Sequence, residues 1–396
     1  MFYTREILST LINQIKRKEV VVITGMRQVG KTTILKYLFD RLESENKAIL
    51  DAGNPLHRSV FDEKNYDKVM QNLRDFGLKQ NKDAYVFIDE IQNMPELPQV
   101  IKYLYDHYQV KFFVTGSSSY YLKNLFSESL AGRKFVFELF PLNFKEFLDF
   151  KEVDRKVKIS DDLEEKELAR NKLTPDLYGG FFDEYIKYGG FPAVVVEQDN
   201  AQKSQILDNI FKSYFEIDVK NLADFKDLSK LRDLILLLVS RIGSKLDISK
   251  LASELGVSRE TVYSYLSFLE QTYFISMIKK YSKSFDRKAA GSMKLYYCDS
   301  GLANYLGNPS EGQLFENVIY QNLRERYKNI CYISKKTGAE IDFILDGKYG
   351  VEVKISADKR HIFNTNKMAK ELGLENSYVV SKNFIDQKGI ILAHDL

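Results

Sequence analysis

Cysteine is nearly absent from this chain: Cys298 and Cys331 are the two thiols in 396 residues. Their separation fits no metal-binding spacing, and so few thiols exclude a disulfide-built fold and point to a reducing, cytoplasmic setting. Long apolar runs are missing as well. The densest, Leu234–Val239, has six residues, against the roughly 20 that span a bilayer, so no membrane segment is expected. The opening MFYTREILSTLINQIKRKE carries charge throughout and lacks an apolar core ahead of a cleavage site. It reads as an amphipathic helix rather than a secretory signal. Internal repeats and low-complexity tracts are absent too. An excess of either charge is lacking: 58 Lys and Arg stand against 55 Asp and Glu, and a net charge of +3 is too small to argue for nucleic acid by itself, so any basic surface must be local.

What is there is ordinary globular text, 44% apolar and 29% charged, long enough for two or three domains. From Val20 it alternates strand and helix. Val20–Thr24, Ala84–Asp89 and Lys111–Thr115 are short apolar runs suited to buried parallel strands, with helical text between them, and this rhythm runs to about Phe150. The charged stretch from Lys151 to Lys172 reads as a solvated helix or linker.

The first run leads into Gly25-Met26-Arg27-Gln28-Val29-Gly30-Lys31-Thr32, which fits G-x-x-x-x-G-K-[ST] at every position and opens a helix at Thr33. Glycines let backbone N–H groups turn inward around a phosphate, and the helix N-terminus adds positive partial charge. Lys31 then neutralises β/γ oxygens while the Thr32 hydroxyl ligates Mg²⁺. The expected ATP contacts are therefore Gly25, Arg27, Gln28, Val29, Gly30, Lys31, Thr32 and Thr33. A second strand ends in Asp89-Glu90, an acid for the Mg²⁺ shell followed by a candidate general base. A third ends in Thr115-Gly116-Ser117-Ser118-Ser119 at the carboxyl edge, where ligands of such sheets bind. Thr115 or Ser117 either contacts the γ-phosphate or makes a polar turn. Arg133, in Leu130-Ala131-Gly132-Arg133, either stabilises the transition state, in cis or from a neighbouring subunit, or makes a structural ion pair.

These motifs, with Pro141-Leu142-Asn143-Phe144-Lys145-Glu146-Phe147 and the later Gly189-Gly190-Phe191-Pro192, resemble the AAA-type ATPases of bacteria and archaea that carry a domain of unknown function at the C-terminus. The resemblance covers essentially the whole chain. It implies an AAA-type core, a winged-helix segment and a nuclease-like terminal domain.

Two later segments agree with it. Ile248–Leu255, a turn at Gly256, an N-cap at Ser258 and a second helix from Arg259 have helix-turn-helix spacing. The second helix would present Arg259, Thr261 and Tyr263 or Ser264. A wing-like hairpin follows, in which Lys279, Lys280, Lys283, Arg287, Lys288 and Lys294 stand against the single acid Asp286. Such a tip suits DNA phosphates and salt-dependent binding, or is simply solvated. Further on, Ala339–Leu345 and Val351–Ile355 alternate around a turn near Gly347, which would set Asp342 opposite Glu352 and Glu340 opposite Lys354. Like charges opposite one another destabilise a sheet, and a cation between them reverses the penalty. Asp, about ten residues, then Glu-x-Lys resembles the restriction-endonuclease-like nucleases. That likeness implies a metal (Mg²⁺ or Mn²⁺) on Asp342 and Glu352, Lys354 beside the nucleophile, and Glu316 as an additional helical acid. The usual proline before the Asp is replaced by Ile341. The other reading of these residues is a polar sheet face, or an inactive nuclease fold used for docking.

The expected fold is α/β: a P-loop parallel-sheet ATPase core over 1–155, a helical linker region over 156–240, a winged helix over 241–298 and a small α/β nuclease-like domain over 299–396. The expected function is Mg²⁺-dependent ATP hydrolysis coupled to DNA binding, with or without cleavage. The rivals are an ATP-driven switch that docks a protein partner or a second copy of itself, and a transcription regulator.

Overall fold

The computed structural model describes residues 3–79, 83–117, 130–154, 162–220, 225, 227–282, 292–335 and 337–396. It divides into two compact units. The first comprises Met1–Phe140, Lys212–Asp224 and Gln271–Tyr273; the second comprises Pro141–Phe211, Phe225–Glu270 and Phe274–Leu396.

In the first unit the described residues form a five-stranded sheet from β1 (Val20–Thr24), β2 (Lys47–Asp51), β3 (Tyr85–Asp89), β4 (Lys111–Gly116) and β5 (Lys134–Glu138). The order is β2-β3-β4-β1-β5, with every pairing parallel. Every residue of β1 and β4 is buried, as a parallel sheet covered on both faces requires. The helix Leu97–Tyr108 supplies Leu97, Val100, Ile101 and Leu104 to the core against Val86, Ile88, Phe112 and Val114. Because the strands are parallel, the segments following β1, β3 and β4 emerge at one edge, and β4 lies between the other two. This places the phosphate loop, Asp89-Glu90 and Thr115-Gly116-Ser117 together.

The second unit contains a seven-stranded sheet among its described residues, in the order β12-β11-β10-β9-β8-β6-β7. Its strands are β6 (Ile275–Lys280), β7 (Met293–Tyr297), β8 (Ile330–Ser334), β9 (Glu340–Leu345), β10 (Tyr349–Lys354), β11 (Asn376–Ser381) and β12 (Ile390–Leu392). The helices Ile248–Leu255 and Arg259–Gln271 join through Gly256 at φ 66°, with Ser258 Oγ capping the Thr261 N–H at 3.1 Å. The expected wing differs from the observed hairpin. β6 pairs antiparallel with β7 but also parallel with β8, so it continues the large sheet instead of standing free as a ribbon.

The charged stretch expected as a solvated helix or linker holds a helix, but not a wholly solvated one. The helix Leu163–Ala169 buries Lys166, which donates to the Asp395 carbonyl, and Glu167, which accepts from the Gly389 N–H at 2.6 Å. Long polar side chains can be buried when their ends find partners. The Gly189-Gly190 turn is packing of the same kind. A Cβ on Gly189 would lie 2.0 Å from the Asp299 carboxylate, and that carboxylate accepts from the Gly190 N–H at 2.7 Å.

Candidate functional site

The phosphate loop leaves β1 at Thr24 and enters the helix Lys31–Arg41 through Gly30, at φ 102°. Gly25 is required by a close approach: a Cβ there would stand 2.0 Å from the Leu139 carbonyl oxygen. The loop is braced from the N-terminal segment, where the buried Arg5 donates to the Val29 carbonyl at 2.9 Å and the Phe140 carbonyl at 2.8 Å. Nothing in the motif identifies Arg5, because its partners lie far along the chain.

Lys31 is 4% exposed and donates to the Gly25 and Met26 carbonyls, each at 2.9 Å. Burial lowers its pKa, and the nearby charges of Glu90, Asp218 and Asp89 only partly oppose this. Asp89, at the end of β3, accepts a hydrogen bond from the Thr115 hydroxyl of β4, and that hydroxyl in turn accepts from the Glu90 N–H at 3.1 Å. Glu90 itself is held at φ 54°, a left-handed conformation that non-glycine residues adopt mainly where surrounding structure imposes it. Its carboxylate accepts from the Gln92 amide, which also donates to Ser117 Oγ at 3.1 Å. Ser117 donates to Asp218 at 3.0 Å, and Asp218 accepts from Arg27 Nε of the phosphate loop at 2.8 Å. One polar chain therefore joins the loop to both acidic and hydroxyl strand ends. Gln92 and Asp218 were not singled out from the sequence. The Gln92 signal, two residues past the acid pair, was local; Asp218 lies 191 residues from Arg27.

The remaining expectations for this site divide. Thr32 is half-buried and Thr33 exposed at the start of the helix, and Gln28 occupies a left-handed turn at φ 64°. The oxygen donors Thr32 and Asp89 suit Mg²⁺, a hard cation. Arg133 corrects the expectation of a contact in cis. Its backbone carbonyl accepts from the Val20 N–H, at the amino end of β1, a strand length of roughly 16 Å from the phosphate loop at about 3.3 Å per residue. Its guanidinium pairs with Asp106 at 3.0 Å. Ser118 and Ser119 lie outside the described residues.

The second unit gathers the other candidates. β9 and β10 pair antiparallel through Tyr349↔Leu345, Gly350↔Ile344 and Val351↔Phe343, the register that a turn near Gly347 requires. Asp342 Oδ2 accepts from the Val353 N–H at 2.9 Å, and Glu352 pairs with Lys354 at 2.6 Å. Glu316, on the helix Glu311–Arg324, reaches the same place and accepts from the Tyr296 hydroxyl at 2.7 Å. Burial, then the charge of Asp342, raises the pKa of Glu316 and of Glu352 to about 7.

The unexpected member is Lys294. Read as part of a basic wing tip, it is instead buried in this acidic cluster, with its ammonium 3.2 Å from Asp342, 3.4 Å from Glu316 and in contact with Glu340. Glu340 pairs with Lys294 from across the sheet. Burial works against the charge on Lys294, but the surrounding carboxylates outweigh it and raise its pKa. Lys294 reaches only one of the two acids that the nuclease resemblance assigns to the metal: Glu352 pairs with Lys354, and its Oε2 is buried without a hydrogen-bond partner. The point where three carboxylates converge is taken by an ammonium group, and among the described residues no three His, Cys, Asp or Glu side chains are arranged to hold a metal ion. Of the residues expected to meet DNA, Arg259 and Lys279 are exposed and Lys280 is half-buried; Lys283, Arg287 and Lys288 lie outside the described residues. Among the described residues no helix is long and apolar enough to cross a membrane.

Comparison with known proteins agrees with the first unit. Residues 17–148 match the family described as AAA domain, residues 180–312 a domain of unknown function (DUF8612) and residues 311–389 another (DUF4143). The chain is 28% identical to an uncharacterised protein of Methanocaldococcus jannaschii over 376 residues, covering 90% of this chain and 80% of that one. It is 28% identical to an uncharacterised protein of Haemophilus influenzae over 336 residues, covering 82% and 78%. Among solved structures it aligns with the Walker-type ATPase of Pyrococcus abyssi at 14% identity and a TM-score of 0.48, covering 77% of this chain and 96% of that one. The phosphate loop and its parallel sheet give the first unit a P-loop core, and residues 17–148 are similar to the AAA domain.

Proposed function

We propose that this chain is a Mg²⁺-dependent ATP hydrolase working as a conformational switch, with its C-terminal region serving to dock a partner rather than to cut nucleic acid. The observation that carries the ATPase reading is the convergence of Lys31, Asp89, Glu90 and Thr115 at the carboxyl ends of three adjacent strands. Lys31 and the N–H groups of residues 25–32 hold the β- and γ-phosphates. Thr32 and Asp89 hold Mg²⁺, which when bound neutralises phosphate oxygens. Glu90 accepts the proton of the attacking water, and Thr115 fixes the backbone from which Glu90 projects. Glu90→Gln should keep nucleotide affinity and slow turnover by about 10²–10⁴-fold, the usual contribution of a general base. Wild-type turnover in that variant would remove Glu90 from the mechanism.

The docking reading rests on Lys294, whose ammonium is held among Glu316, Glu340 and Asp342 and so meets Asp342 with a charge of the fold's own. Purified protein should leave plasmid and branched DNA intact with Mg²⁺ or Mn²⁺, with or without ATP. Cleavage that disappears in Glu352→Ala would overturn it.

DNA as the docked partner is favoured by one feature, the helix Arg259–Gln271, which exposes Arg259, Tyr263 and Ser264 on one side. Arg259→Ala should weaken binding to duplex DNA in a gel-shift assay, and raising salt from 50 to 200 mM should weaken it further, by about tenfold or more if several phosphates are contacted. Absence of any salt-sensitive shift would leave a protein partner.

A further inference from the structure

Asp218 has no part in the hydrolytic chemistry above, yet it is tied to it on two sides. It is 3% exposed, and it accepts from Arg27 of the phosphate loop at 2.8 Å and from Ser117 past β4 at 3.0 Å. It belongs to Tyr214–Val219, a stretch of π-helix that follows the α-helix Asn200–Ser213. π-helical turns are rare and appear mostly as single turns inside α-helices, frequently at functional positions. Burying a carboxylate is also costly unless it is paired. Burial raises the pKa of Asp218, while the charges of Arg27 and Lys31 and the hydrogen bond from Ser117 hold it back.

The chain path gives this turn a particular position. Lys212–Asp224 counts with the nucleotide-binding unit, whereas the segments on both sides, Pro141–Phe211 and Phe225–Glu270, count with the second. The turn is therefore followed and preceded along the chain by segments of the second unit.

We propose that the Arg27–Asp218 pair is a latch fastening the Tyr214–Val219 turn to the phosphate loop, and that a bound nucleoside triphosphate loosens it, which makes Asp218 a positioning residue that reports nucleotide state. The inference rests on the ATP-binding reading. A triphosphate held by Lys31 places several negative charges beside a buried carboxylate that already interacts with Lys31. It repels Asp218 and offers Arg27 a competing anion, since guanidinium groups bind phosphate as readily as carboxylate. A diphosphate, one phosphoryl group shorter, exerts less of both effects. The equilibrium shifts only by the differential interaction of the ligand with the two states, and a charged hydrogen bond is of the right size to be traded in this way.

The test is hydrogen exchange on the full-length protein without nucleotide, with Mg²⁺-ADP and with a Mg²⁺-bound non-hydrolysable ATP analogue, with occupancy measured in the same samples by displacement of a fluorescent nucleotide. The analogue should raise amide exchange in residues 214–219 by about tenfold over ADP, the equivalent of one charged hydrogen bond. In Asp218→Asn, exchange should already be raised and should no longer respond to nucleotide. That variant should also bind the analogue more tightly relative to ADP than the wild type does. Should Asp218→Asn fail to fold, Arg27→Gln breaks the same pair from the other side and must show the same raised, unresponsive exchange. Exchange unchanged or slowed in the wild type at full analogue occupancy would overturn the latch and leave the ATPase intact. A wild type that binds neither nucleotide would remove the ATP reading, and the latch with it.

Discussion

Two buried lysines, one in each unit, show how similar burial leads to opposite chemistry. Lys31 and Lys294 are 4% and 2% exposed. Lys31 donates to two backbone carbonyls and, among the described residues, forms no ion pair; its pKa is pulled down by burial. Lys294 lies against Glu316, Glu340 and Asp342, and its pKa is pushed up. The first is a cation kept short of counter-charge, which a phosphate can supply. The second is a cation already surrounded by anions, so its own charge is met within the fold. Under-neutralised charge marks a binding site, and internally neutralised charge marks structure.

The same substitution at both positions tests that contrast. Lys31→Met keeps the stem and deletes the charge. Because the charged hydrogen bonds it offers a triphosphate are worth about 1.5–3 kcal/mol each, affinity for ATP should fall at least about a hundredfold in a fluorescent-nucleotide titration. Stability should hold or rise, since an under-compensated buried charge is removed. An unchanged affinity would mean that the loop does not bind phosphate through Lys31.

Lys294→Met should do the reverse, leaving nucleotide affinity within error of the wild type and lowering stability. Removing one partner from a buried ion cluster costs about 3–5 kcal/mol, readable as a drop in urea midpoint. Mn²⁺ should then raise the melting temperature of the variant, where carboxylates face one another without their ammonium, and should leave the wild type unmoved. If Mn²⁺ stabilises the wild type equally, the cation position is open and the cleavage reading returns.

The contrast also separates what the sequence could reveal from what it could not. The phosphate loop, Asp89-Glu90 and Thr115 were legible because each follows its own strand within a few residues, and parallel strands bring such ends together at one edge. Arg5 and Asp218 were not, because their partners are supplied by distant parts of the chain. Lys294 differs, because a count of charge along the hairpin carries no sign of which way a side chain points. It alternates with Leu295 and Tyr297 and shares a strand face with Tyr296, and β7 is buried from Lys294 to Tyr297 on both faces, so the lysine had to point inward. Lys166 and Glu167 were missed for a related reason: charged composition suggests solvent, and only the fold supplies the Asp395 carbonyl and Gly389 N–H that make their burial tolerable. The Asp342/Glu352 register was legible from the turn at Gly347, but not what would neutralise it.

The smallest expected effect is a pH dependence confined to the second cluster. Glu316 and Glu352 titrate at about 7, raised from 4.5 by burial and then by Asp342. Between those values the folded protein holds protons that the unfolded chain has released. These groups therefore contribute stability that is fully present below about pH 4.5 and is lost as pH rises through about 7. Gln cannot ionise, so Glu316→Gln should gain on the wild type as pH rises. One pKa unit is worth about 1.4 kcal/mol, and the pair shares the effect, so the difference in unfolding free energy between variant and wild type should shift by about 1–3 kcal/mol in the variant's favour from pH 5 to pH 8. The absolute sign at one pH is less informative, because Gln also loses the ion pair with Lys294. The slope is the diagnostic quantity. Parallel urea-midpoint curves for the two proteins would show that Lys294 already compensates Glu316 in full, and would make the C-terminal cluster even more self-contained than its geometry implies.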